Sequence, residues 1–203
     1  MPKFNRLQFL LVFPILLRWY ISIHNEYVKY GAWLARNWQN KSFYETPKII
    51  VRETGNRIIA TIDLENRYLL SSLYSIYPKD KNEKLSLLYL LGILNSSLAT
   101  FVAKIIALEL TTGAFTKFRT NQLGRIPIYD IDFSISSDIH FYDSIVAFVN
   151  RMLSLHQQLA SSNTPNEKTL LQRQIDATDH QIDTLVYELY GLTDDEIKLV
   201  EEM

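Results

Sequence analysis

Lys117, Arg119, Thr120, Asn121 and Gln122 fall inside six consecutive positions of the irregular, polar stretch from Thr111 to Gly124. Cations and amides are the side chains that pair with phosphate oxygens and with base edges, arginine with guanine and asparagine or glutamine with adenine. A second group lies upstream in KIIVR. Side chains alternate along a strand, so Lys48, Ile50 and Arg52 share one face, and two cations are expected to project from one side of a sheet edge. The plain alternative for any one of these residues is a surface ion pair.

Other chemistries find little support. The six glycines, at 31, 55, 92, 113, 124 and 191, match neither a dinucleotide nor a phosphate-loop spacing. His24, His140, His156 and His180 stand apart, with no partner at metal-ligand spacing. There is no GxSxG elbow, and the absence of cysteine removes thiol nucleophiles and thiolate metal sites. Asp194, Asp195, Glu196 and Lys198 superficially resemble a metal-dependent nuclease cluster. They also fill the first turn of a helix, where the dipole and the cap favour acids, and the structural reading is the better one.

The elements that would carry the cationic residues can be read from periodicity. Ile49 to Val51 and Ile58 to Ile62, separated by Thr54-Gly55-Asn56, read as a hairpin, and strands near Tyr68–Leu70 and Leu73–Tyr77 would extend it into a small, mostly antiparallel sheet. From Lys84 to about Ala107 the pattern is apolar all round, as in one helix buried against that sheet. Ile145, Phe148, Val149, Met152, His156 and Leu159 then form one helical stripe. Leu171, Ile175, Thr178, Ile182, Leu185 and Leu189 step by four and three in a coiled-coil-like seam. Capping boxes open at Thr164 and Thr193, and Gly191 ends the second long helix. The expectation is an α+β fold with an antiparallel helical pair and a short final helix. Residues 1–26 are a segment of uncertain role, 27–135 the α+β domain and 136–203 a helical support.

The net charge of −1 conceals an uneven distribution. Residues 1–28 sum to +2, 29–125 to +7 and 126–203 to −10, which suits a phosphate-binding face on an acidic helical brace. The apolar run from Leu7 to Leu17 is 11 residues long and contains Pro14, too short for a bilayer span of about 20 residues. Neither a membrane segment nor a signal peptide is expected. A chain without cysteine fits a reducing cytoplasm.

Taken in order, YVKYGAWLARNWQNKSFYETPKIIVRETGNRIIATID, SLYSIYP, YLLGILNSSLATF, LGRIPI and LLQRQIDATDHQIDTLVYELYGLTDDEI resemble one family. It is the TaqI-like C-terminal specificity domain of type IIG restriction-modification enzymes and related adenine-specific DNA methyltransferases. The likeness covers nearly all of residues 27–198. It implies a target-recognition module that lies across duplex DNA from a catalytic methyltransferase domain, with or without endonuclease activity, in a bacterial cytoplasm. Such methyltransferases carry a methyl-donor pocket and an Asn-Pro-Pro-Tyr motif. None of the six prolines here adjoins another, so catalysis, with S-adenosylmethionine and any magnesium, is expected on a partner domain or subunit.

Under this reading Lys29, Arg36, Lys41, Lys48 and Arg57 are candidates for phosphate contacts, Arg52, Arg119, Asn121 and Gln122 for base contacts, and Lys117 for a DNA contact of either kind. Trp33, Trp38, Phe43 and Tyr44 could pack on sugars or flank a flipped base, though aromatics at that density usually form core. The alternative is a helical interaction subunit that docks to a separate methyltransferase or nuclease, or dimerises, through the seam from Leu171 to Leu189.

Overall fold

A computed structural model describes residues 16–22, 46–65, 67, 69, 72–78, 86–108 and 117–202. Among these, two short strands come first, β1 (Leu16–Leu17) and β2 (Tyr20–Ile21), paired antiparallel. Their two-residue turn puts Trp19 at φ 70°, and its N–H donates to Ala60 O at 3.0 Å. Trp19 is buried, so part of the N-terminal segment belongs to the core.

The main sheet has three antiparallel strands, β3 (Lys48–Arg52), β4 (Ala60–Asp63) and β5 (Leu73–Ile76), with β3 in the centre. Its two outer pairings set Val51 opposite both Ala60 and Tyr74. The expected hairpin and the strand from Leu73 are present, while the strand proposed around Tyr68 to Leu70 lies largely outside the described residues. β-Branched side chains on successive positions bury both faces. Ile49 and Val51 face the helices, and Ile50 joins a second cluster with Leu16, Ile21 and Leu73.

The single buried helix expected from Lys84 to Ala107 is two helices, α1 (Leu87–Asn95) and α2 (Ser97–Leu108), bent by 67°. The break has a local cause. Ser96 is extended, its hydroxyl donates to Ile93 O (2.7 Å) and accepts from Ala99 N (3.1 Å), so one serine closes α1 and opens α2. Asn95 then presents its amide to β4, accepting from Ala60 N and donating to Ala60 O, both at 3.0 Å. No single described helix is long and apolar enough to cross a membrane.

After the short α3 (Thr120–Leu123), α4 (Ser136–Ser161) and α5 (Pro165–Tyr190) form the expected hairpin, and α6 (Asp194–Glu201) follows. Thr164 caps α5, accepting from Glu167 N, while the Glu167 carboxylate takes Ser162 Oγ (2.8 Å), so only half of the box there forms. The box at Thr193 and Glu196 is complete, and Gly191 closes α5 in the left-handed conformation at φ 67°. The seam is not free for a partner. Leu171, Ile175, Thr178, Ile182 and Leu189 are buried within the chain, in a helical pair whose apolar stripes face each other. Docking or dimerisation through those residues would require α4 to be displaced.

Candidate nucleic-acid interface

The backbone at the end of β3 brings two distant segments together. Glu53 N donates to Ser72 O (3.0 Å), Phe118 N donates to Glu53 O (2.8 Å), and Thr54 forms a bridge with Lys117. Phe118 is fully buried and pins the segment. Its neighbours therefore alternate outward, and Lys117 and Arg119 are both exposed. Thr120 and Asn121 follow, exposed, in the first turn of α3.

A carboxylate organises this surface. Glu53 Oε1 accepts from the Tyr74 hydroxyl (2.9 Å) and pairs with Lys117 Nζ (3.0 Å). The hydrogen bond from Lys117 holds the Glu53 carboxyl below the ordinary carboxylate range, with Tyr74 and the charge of Arg119 acting the same way against its desolvation. Burial, and then the bond to Glu53, push the Tyr74 hydroxyl up. Beside Tyr74 an apolar cleft of about 430 Å³ opens between β5, α1 and α3, with Leu90, Thr120 and Leu123 in its wall.

Lys117, Arg119 and Asn121 thus lie together, but other candidates stand elsewhere. Arg52 is exposed at the same end of the sheet, yet it pairs with Leu73, on the face opposite Val51 and Tyr74. Lys48 does not project from that face. It is wholly buried and pairs with Asp63 at 2.7 Å, because the sheet face expected to be open is covered. Gln122 is also buried, its Oε1 accepting from Arg119 N (2.7 Å), so it shapes α3 rather than meeting a base. Arg57 turns inward, where Nη2 donates to Asn95 O (3.4 Å). Burial lowers its pKa, and the positive charge of Arg18 adds to the effect. Lys29, Arg36 and Lys41 lie outside the described residues, as do Trp33, Trp38, Phe43 and Tyr44.

Glu53 and Tyr74 were not among the sequence candidates. An acid directly after Arg52 in a basic segment was the available signal; the contact with Lys117 spans 64 positions and leaves no local trace. Among the described residues no cluster of three or more His, Asp or Glu side chains could hold a metal ion.

An α+β scaffold that gathers cations, an amide and an ordered carboxylate at one sheet end has the makings of a nucleic-acid-binding module. The chain belongs to the TaqI-like C-terminal specificity domain family, which matches it over residues 16–128. It is a DNA-binding target-recognition domain of the restriction-modification type. The match ends before α4, so the helical hairpin and α6 lie beyond it. A search of curated proteins finds no match.

Proposed function

We propose that this chain reads a specific duplex DNA sequence for an adenine-specific, type II restriction-modification system, and that catalysis belongs to a methyltransferase or endonuclease domain or subunit to which it docks. The observation that carries the reading is the outward pair Lys117 and Arg119, set around buried Phe118 and adjoined by Asn121. Lys117 supplies a phosphate contact, while Arg119 and Asn121 face base edges. The long acidic helices pack on α1, which lies against the sheet, and Arg18 is bonded to both Asp179 of α5 and Asn95 O at the end of α1. The setting proposed is the bacterial cytoplasm, where the DNA is. S-adenosylmethionine and any magnesium would be held by the catalytic partner.

Two titrations test this. The chain is expected to bind mixed-sequence duplex DNA with an affinity that falls steeply as salt rises, since phosphate contacts release counterions. It is expected to give no calorimetric signal with S-adenosylmethionine. Duplex binding insensitive to salt would remove the first half of the proposal, and heat of binding with the methyl donor the second.

A further inference from the structure

Glu53 is an acid on a surface proposed to meet a polyanion, and it is held by one oxygen. Both donors, the Tyr74 hydroxyl and the Lys117 ammonium, converge on Oε1. No described residue donates to Oε2, which is not among the buried unpartnered atoms and so faces solvent; the side chain is 22% exposed. The clamp fixes the direction in which this second oxygen points.

A carboxylate in such a place repels every phosphate, whatever the sequence, and weakens binding unless it accepts a hydrogen bond that a particular base supplies. In the major groove the cytosine N4 amino group is the donor that suits a carboxylate. Its pairing partner, guanine, offers O6 and N7 side by side, the match for a guanidinium fork. An A·T pair has no such adjacent acceptors, because the adenine amino group separates N7 from the thymine O4. Arg119 stands next to Glu53, since Phe118 N bonds Glu53 O, and its charge reaches the carboxylate. Among the described residues the Arg119 guanidinium has no hydrogen-bond or ion-pair partner.

We infer that Glu53 and Arg119 together read one G·C pair in the major groove, Arg119 donating to guanine O6 and N7 and Glu53 Oε2 accepting from the cytosine amino group. The inference rests on the DNA-reading function above and adds to it a base pair and a specificity-determining residue.

The test is selection of duplexes from a random pool by the full 203-residue chain, followed by binding to the selected site with single changes. At one position G·C is expected to be preferred over A·T by about tenfold or more. Replacing its cytosine by N4-methylcytosine, which keeps base pairing but removes the groove-facing N–H, is expected to weaken the wild-type chain about tenfold. Glu53→Ala is expected to retain salt-sensitive binding, to lose the preference and to ignore the methyl group. Three outcomes overturn the inference alone: no selected G·C position, no effect of N4-methylcytosine on the wild-type chain, or a Glu53→Ala loss that is equal on every sequence. Failure of the wild-type chain to bind any duplex would instead overturn the DNA-reading function itself.

Discussion

A lysine with no exposed surface needs a carboxylate within reach, and at Lys48 that partner does more than balance a charge. Asp63 accepts from Lys48 Nζ (2.7 Å), Arg67 N (2.7 Å), Arg67 Nη1 (2.9 Å) and Glu65 N (3.1 Å), so one buried acid holds the start of β3 and the segment after β4. Removing Asp63 takes the shared carboxylate from two cations at once, one of them the wholly buried Lys48. Asp63→Ala is therefore expected to destabilise the fold by about 3–5 kcal/mol in urea unfolding. His156 gives a second prediction. Its Nε2 is buried without a partner among the described residues, and desolvation, reinforced by the charge of Arg18 and opposed by Asp179, lowers its pKa from 6.5. The unfolded chain then takes up a proton first as pH falls, so the stabilising share is complete above about 6.5 and is lost toward the lower folded pKa. A melting series from pH 7.5 to 5 is expected to show a larger fall for the wild-type chain than for His156→Gln; parallel curves would contradict this. Alternation marked Lys48 and Arg52 for one face correctly, and what it could not supply was which chain segments cover that face.

At the scale of elements, sequence periodicity carried most of the fold. The β3–β4 hairpin, the strand at Leu73, the two long helices and the cap at Gly191 all follow from alternation, stripe spacing and turn chemistry. The break at Ser96 did not, because an apolar pattern records burial and not the direction of the axis. Asn95-Ser96-Ser97 was the visible warning, as these side chains compete for backbone partners. Asp183 completes the joint by accepting from Ser97 N (2.7 Å) and Ser97 Oγ (2.8 Å). Close approach of α1 and α4 depends on Gly92, where an added Cβ would stand 2.6 Å from Ile145 Cγ2 and 3.1 Å from Val149 Cγ2. Gly92→Ala is expected to cost about 1–3 kcal/mol through overpacking, despite alanine's better helix propensity. A thermal midpoint equal to or above that of the wild-type chain would show that the helices have room to separate.

Across the whole molecule, charge is sorted along the chain: the basic middle carries the residues proposed to face DNA, and the acidic C-terminal third joins it chiefly through α4 packed on α1. The sequence showed that asymmetry but could not distinguish cations that face outward from those consumed inside. Lys117 and Arg57 separate the two kinds, since Lys117 is 49% exposed beside Arg119 while Arg57 is turned toward the junction of α1 and α2. The most direct test is the slope of log affinity for duplex DNA against log salt in the wild-type chain, Lys117→Gln and Arg57→Gln. Lys117→Gln is expected to lower the magnitude of the slope by about 1, since one phosphate is no longer neutralised, and Arg57→Gln to leave it unchanged. A slope that falls for Arg57→Gln and stays constant for Lys117→Gln would contradict the assignment of this sheet end as the DNA-facing surface.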